Sequence, residues 1–363
     1  MNIMIEGMSR ELGGMEVFIM SVFRNLDMEQ YKIDFIAYDE RIVCEEEIVQ
    51  SGSHVYHVTP RSKNISASKS ELDRVFKEKK YDVFWSHKTT ISNIEALKAA
   101  KNNCVPIRIV HSHSSKNRGT GFTYMMHRLN RRVLSKYVTE FLACSYDSAK
   151  WMFGHYAEKA EIVINGVDMD KFAYSREREM FMRKKLDLEN VPVVGHIGRM
   201  SREKNHKFLL LIFKELLKKQ KDAVLLLCGG GEMETEITES IRILGIEKNV
   251  RVLGVRNDVD DVMQVMNVFV FPSLMEGYPI SLIEAQAAGL PSVVSKDVIP
   301  ASIACDENME FVSLNEKPEK WAEAVFKKLK LPRHTAPKSF VESNMNLKKM
   351  IENIEKILNR GGY

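Results

Sequence analysis

The feature that most constrains this chain is a rhythm. Short apolar runs rich in β-branched and aromatic residues alternate with amphipathic stretches of helical length along almost all of its 363 residues. In the first half, Ile33–Ala37, His54–Val58, Asp82–Ser86, Ile107–His111, Glu140–Ala143 and Glu161–Ile164 read as strands. Between them Glu16–Leu26, Lys69–Lys79, Ser92–Asn102, Thr123–Lys136 and Ser145–Phe153 read as helices. The second half repeats the pattern, with strands at Val193–Ile197, Ala223–Cys228, Val250–Leu253, Val268–Phe271 and Ser292–Ser295. Its helices are expected at Lys207–Lys219, Glu234–Leu244, Val259–Met266 and Ile280–Ala288. A helix between two strands returns the chain to the same edge, so the strands pair in parallel and the fold class is α/β.

The length suits about two domains. Hydrophobic residues at 44% and charged residues at 28% are ordinary for a globular protein and exclude a disordered, collagen-like or coiled-coil chain. The charged stretch Asp170–Pro192 has no strand pattern, and its first part is read as the linker. The domains are then 1–172 and 173–337, with a last helix over 338–363 returning to the first. No apolar run approaches the roughly 20 residues that span a bilayer, and no secretory signal is read at the start. The five cysteines lie far apart with no C-x-x-C, which argues for reduced cytosolic thiols and against a disulfide framework or a zinc site. A net charge of +4 does not call for nucleic acid. From His113 to Tyr137, however, stand Lys116, Arg118, Arg128, Arg131, Arg132 and Lys136 without one acid. An apolar stripe (Phe122, Met126, Leu129, Val133, Tyr137) shares this helix. It reads equally as a face packed on the sheet or as a face laid on an anionic membrane.

Ligands of open parallel sheets bind at loops leaving the carboxyl ends of strands. After Val193–Ile197 comes Gly198-Arg199-Met200-Ser201-Arg202-Glu203-Lys204, with three cations suited to a diphosphate. After Ala223–Cys228 come Gly229, Gly230 and Gly231, without the Lys-Ser/Thr of a P-loop. After Phe271 come Glu276, Gly277, Tyr278, Pro279, Ile280 and Ser281, at the start of a helix that carries Glu284 eight residues beyond Glu276. Free amides there suit a phosphate. Two carboxylates beside a phosphate are tolerable when they accept hydroxyl hydrogen bonds, as from a sugar and a ribose. In the first half, Gly13 and Gly14 open a helix, and His111 and His113 end a strand.

In this order these motifs resemble glycosyltransferase family 4, retaining enzymes of the GT-B fold, with two Rossmann-like domains whose parallel sheets face across a cleft. The wording IRIVHSHS, ACSYDSAKWMFG and KNHKFLLLIF is similar to the branch that builds bacterial capsules and exopolysaccharides. The resemblance implies that Arg199 and Lys204, with Gly198, hold the donor diphosphate. It implies that Glu276 contacts the donor sugar and Glu284 the ribose. Backbone at Gly277, Tyr278, Pro279, Ile280 and Ser281 would lie beside sugar and phosphate, the loop at Gly254–Arg256 near the base, and Gly230 among the donor-binding residues. Gly13 and Gly14 would cover the phosphates, and His111 would lie near the transferred sugar. The co-substrate would be a nucleoside diphosphate sugar, a UDP-sugar, with no metal or other cofactor required. The acceptor would be a glycan, lipid-linked, met at the cytoplasmic face of the membrane. Two other readings stay open: a nucleotide-sugar 2-epimerase of the same fold, and a non-catalytic partner protein at the membrane. A nicotinamide-dependent dehydrogenase is weakened by the missing G-x-G-x-x-G.

Overall fold

The computed structural model describes residues 1–114, 120–276, 278–305, 307–333 and 335–361. They form two compact units, Met1–Asn165 with Met350–Tyr363, and Gly166–Lys349. The sequence reading set these divisions at 172/173 and 337/338.

The first unit holds seven strands: β1 (Asn2–Glu6), β2 (Lys32–Ala37), β3 (Val55–His57), β4 (Val83–Lys88), β5 (Ile107–Ser112), β6 (Glu140–Ala143) and β7 (Glu161–Ile162). They lie in the order β3-β2-β1-β4-β5-β6-β7, every pair parallel. The second unit holds β8 (Val193–Ile197), β9 (Val224–Cys228), β10 (Val250–Gly254), β11 (Val268–Phe271), β12 (Ser292–Ser295) and β13 (Met309–Val312). Their order is β10-β9-β8-β11-β12-β13, again all parallel. Each unit is thus doubly wound, with the strand order of a Rossmann-like sheet. Helices cover both faces of such a sheet, which is why its central strands are apolar throughout rather than alternating. All five residues of β8 and of β9 are buried.

The strands β1 and β13 were not expected. The first is only five residues at the chain start, and the second is broken in pattern by Glu310. β4 and β5 run further than their apolar cores, because their ladder continues through His87↔His111 to Lys88↔Ser112. Much of the charged stretch read as carrying the linker is a helix, Arg176–Lys185. Arg178 is tied to Asp260 and Asp261, and Arg183 donates to the Val265 carbonyl and Asn267. The final helix is not continuous. Lys338–Val341 stops, and a second helix runs from Leu347 to Leu358. In the gap, Val167 exchanges backbone hydrogen bonds with Met345 and Leu347, and Asn346 Oδ1 accepts from the Lys348 N–H to start the second helix. Among the described residues no helix is long and apolar enough to cross a membrane.

Candidate functional site

In the second unit the winding reverses between β8 and β11, and the crevice outside the carboxyl ends of two such strands is where doubly wound sheets take ligands. The loops leaving those ends carry Lys204 and Glu276. The Lys204 ammonium Nζ lies 2.8 and 3.1 Å from the two oxygens of Glu276. These side chains are only 18% and 9% exposed, so their attraction is weakly screened. The ammonium also lies 4.6 Å from the centre of the Phe271 ring, a cation–π contact. Leu274 N–H donates to the Glu203 carbonyl at 2.7 Å and Asn205 Nδ2 to the Pro272 carbonyl at 3.0 Å, which tie the two loops together. Beneath the lysine, His196 and His206 stack edge to face. Burial, then the Lys204 charge, lowers His206 to about 4, and burial holds His196 well below its usual value. Both rings are therefore neutral and leave Lys204 and Glu276 as the charged pair of this spot.

The glycine loop after β9 lies directly on the loop after β8. Gly198 N–H donates to the Cys228 carbonyl and Met200 N–H to the Gly230 carbonyl. Gly229 has φ of 139°, and a Cβ there would stand 2.1 Å from the Gly198 carbonyl oxygen, so only glycine fits. Gly198 itself packs against the Lys204 stem, and Gly230 against Val255. Arg256 is engaged by Asp258 through both Nε and Nη2. Arg199 is not gathered into the Lys204–Glu276 pair; its exposed side chain lies 3.4 Å from Glu232.

The helix after β11 runs from Ile280 to Ala287, with Pro279 at the N-cap rather than in the first turn. The amide of Ile280, read as free for a phosphate, donates to the Tyr278 carbonyl at 3.0 Å. Gly277 lies outside the described residues, and Ser281 is partly buried. Glu284, one turn further on, is raised to about 7 by burial, opposed by Lys171. The Cys228 thiol, raised chiefly by burial, also feels Arg256, Asp258 and Glu284. The end of β9, the loop of Arg256 and Glu284 therefore share one neighbourhood.

In the first unit Gly13 caps the helix Gly14–Asn25, and both glycines are exposed. Glu16 holds their loop, accepting from Gly13 N–H at 3.1 Å and from the Ser9 hydroxyl at 2.7 Å. Asn165 Nδ2 donates to the Gly14 carbonyl. His111, expected to lie near the transferred sugar, is fully buried, edge-on to Phe18 and tilted by 36° against the His113 ring, with centroids 4.2 Å apart. His113 is the half-buried ring. His87 on β4 completes a triplet of imidazoles that sequence reasoning missed, because it lies on another strand. Burial holds His87 and His111 well below the usual histidine range and His113 at about 3. Glu6, Ser86, Tyr38 and Lys88 form a buried cluster on the opposite face; Glu6 accepts from all three partners at 2.6–2.7 Å.

The basic helix Gly121–Val133 does not pack its apolar stripe inward as a unit. Phe122 and Leu129 are exposed, as are Tyr124 and Met125. The one buried residue is His127, whose Nε2 donates to the Trp151 carbonyl while Nδ1 accepts from the Ile91 N–H. Arg128 and Arg131 line a pocket of about 480 Å³ with Tyr124, His127, Asp147, Lys150 and Trp151. Arg132 is exposed, and Lys136 ends the following turn. Lys116 and Arg118 lie outside the described residues.

A family model described as Glycosyltransferase Family 4 matches residues 12–171, and one described as Glycosyl transferases group 1 matches 177–357. EpsF of Bacillus subtilis is 28% identical over 332 residues, 88% of this chain and 85% of its own. The Escherichia coli UDP-Gal:alpha-D-GlcNAc-diphosphoundecaprenol alpha-1,3-galactosyltransferase is 27% identical, covering 78% of this chain and 76% of its own. The crystal structure of Anabaena HepE in complex with UDP shares the fold, with a TM-score of 0.81 over 99% of this chain and all of the other, at 17% identity. With family 4 matched on the first unit, group 1 on the second, and two Rossmann-like sheets of GT-B type, this chain is a glycosyltransferase of family 4, related to the enzymes of capsular and exopolysaccharide synthesis.

Proposed function

We propose that this enzyme transfers a hexosyl group, with retention at the anomeric carbon, from a UDP-sugar to a hydroxyl of a lipid-linked glycan. The observation that carries this reading is the half-buried Lys204–Glu276 pair between the loops that leave β8 and β11. When the bond from anomeric carbon to diphosphate breaks, negative charge builds on the departing phosphate. A fixed cation stabilises that charge without reorganising at the moment of reaction. Lys204 supplies it, and Arg199 adds a second charge by turning from the exposed Glu232. Glu276, relieved of part of its ion pair, accepts hydrogen bonds from donor-sugar hydroxyls. Glu284 accepts from the ribose, and the backbone at Gly198, Gly230 and Ser281 lies along the phosphates and base with Arg256. The diphosphate takes the acceptor's proton, so no protein nucleophile and no divalent ion is needed for transfer. The name of the Escherichia coli relative, with its UDP-Gal donor and diphosphoundecaprenol-linked acceptor, supports the choice of both substrates, and the UDP bound to HepE supports the nucleotide.

The lipid-linked acceptor brings the enzyme to the cytoplasmic face of the membrane. The exposed Phe122, Met125 and Leu129 lie at spacings of three and four on one helix, beside Arg128, Arg131 and Arg132. That is the composition of a helix lying on an anionic surface. The test is transfer from a panel of UDP-sugars to a polyprenyl diphosphate glycan in excess EDTA, with the new linkage read by NMR. The expected product keeps the donor's anomeric configuration, and turnover persists in EDTA. An inverted product, or complete loss of turnover in EDTA, contradicts the proposal.

A further inference from the structure

The pocket between the helices Gly121–Val133 and Tyr146–Phe153 has a lining that donor binding does not account for. Its volume of about 480 Å³ is within the range of small-molecule sites. Trp151 is its fixed ring. The indole N–H donates to the Thr89 carbonyl at 3.1 Å. The buried His127 stacks on the indole at 4.1 Å, with ring planes 12° apart, and its Nε2 donates to the Trp151 carbonyl at 3.1 Å. Tyr124, one turn before His127 and itself exposed, lies within 8° of parallel to the indole, with centroids 6.0 Å apart. Two flat aromatic groups are therefore set in orientation before any ligand arrives, which lowers the ordering cost of binding.

Three cations stand around these rings. Arg128 lies 6.0 Å over the Tyr124 ring and Lys150 4.3 Å over the Tyr146 ring. Arg131 packs against Gly154, where a Cβ would come within 3.1 Å of Nε, and reaches the Trp151 carbonyl at 3.4 Å. None of the three forms an ion pair among the described residues. Asp147, exposed in the first turn of the second helix, adds one acid. Three positive charges against one negative favour an anion, and the rest of the lining says which kind. A bare phosphate or a lipid phosphodiester gains nothing from flat apolar rings and is repelled by Asp147. A pyranose ring sets its slightly positive C–H groups on the negative face of an aromatic ring, and its hydroxyls donate to a carboxylate. A carboxylate carried on that ring matches the planar fork of an arginine.

We propose that this pocket binds a uronic acid residue of the acceptor glycan, its ring stacked on the aromatic faces of Trp151 and Tyr124 and its carboxylate held by Arg128 and Arg131. Asp147 and Lys150 then meet its hydroxyls. At 3.6 residues per turn, Phe122, Met125 and Leu129 lie about 120° around the helix from Tyr124, Arg128 and Arg131, so the apolar side chains proposed to meet the membrane leave the pocket open. The proposal deepens the reading of the acceptor as a glycan and rests on that part of it alone.

Trp151 reports on this pocket selectively, because the other two tryptophans, Trp85 and Trp321, are buried. The test follows tryptophan fluorescence of the full-length protein, without donor, as methyl glycosides of glucuronic acid, galacturonic acid, glucose and galactose are added. At least one uronide should change the signal saturably and bind tighter than its neutral counterpart by about tenfold, the scale of one charged hydrogen bond. Arg128→Ala should remove that preference with the thermal transition unmoved, while Lys77→Ala, an exposed cation that does not line the pocket, should keep it. Saturation-transfer NMR on the wild type, which needs no variant, should show the ring C–H protons of the uronide closest to the protein. No response to any of the four glycosides, equal affinity for acidic and neutral ones, or an unaltered preference in a folded Arg128→Ala overturns the site. So does displacement of the uronide by an equal concentration of inorganic phosphate, which marks a general anion site, or a larger response to phosphatidylglycerol vesicles than to any uronide, which marks a lipid headgroup site. Binding is read without sugar transfer, so its failure leaves the proposed donor and mechanism standing, and their failure leaves this readout intact.

Discussion

Each unit places a lysine–glutamate pair where its sheet reverses, and the two pairs are built differently. Glu6, at the end of β1, is 2% exposed and is met by Lys88, Ser86 and Tyr38 at once. Its pKa is lowered by these partners, Lys88 first among them, against the opposing effect of burial. Every oxygen is satisfied, so the pair is closed to a ligand. Lys204 and Glu276 sit on loops rather than on strands, and Glu276 has Lys204 as its one ion-pair partner among the described residues. The same chemistry therefore holds a sheet together in one unit and stands ready to be exchanged for a substrate in the other. Partner number and backbone rigidity make that difference, not residue type.

The largest separation is expected for Glu276→Ala. Sugar transfer should fall by about 100- to 1,000-fold, the scale for removing one fixed polar contact from a reacting centre, with the thermal transition almost unmoved. Near-normal turnover would remove Glu276 from the site. Next comes Lys88→Met. It leaves Glu6 buried without its cation and should lower stability by about 3–5 kcal/mol in urea unfolding. An unchanged midpoint would mean that the two pairs are not different in kind.

The smallest effect sharpens the contrast through pH. Glu284 sits at about 7 because burial disfavours its charge. An acid raised above its ordinary 4.5 stabilises the fold in its protonated form, fully below about pH 4.5, and that contribution is lost as pH rises through 7. Glu284→Gln should thus match the wild type in stability near pH 4 and exceed it by on the order of 2 kcal/mol at pH 8. Parallel stability curves from pH 4 to 8 would contradict the burial of Glu284.

The two units also differed in how far their sequence could be read. The second unit's loops were legible because each one is local. Gly198–Lys204 and Glu276–Glu284 are contiguous runs after strongly apolar strands, and Lys204 meets Glu276 as their shared sheet requires. The fate of Arg199 was not legible, because Glu232 lies on a different loop and draws it outward. Nor was that of the Ile280 amide, which a short turn to Tyr278 consumes. In the first unit the histidine triplet depends on register between β4 and β5, which no single stretch of sequence encodes. The polar ends of both strands hid their length, so His87 appeared to lie in a loop. The stripe that runs along Gly121–Val133 to Tyr137 divides: Phe122 and Leu129 are exposed, while Val133 and Tyr137 pack on the core. The inward face of the helix is set by His127 and Asn130, which bond to backbone around Ile91, Ser92 and Trp151.

The central claim is that Lys204 is held for the diphosphate of a nucleotide sugar, and calorimetry of UDP binding tests it most directly. Wild-type protein should bind UDP without added metal, and Lys204→Met should weaken that binding by about 10- to 100-fold, as expected for one charged hydrogen bond, while unfolding at an unchanged temperature. Equal UDP affinity in the wild type and a folded Lys204→Met would contradict the account.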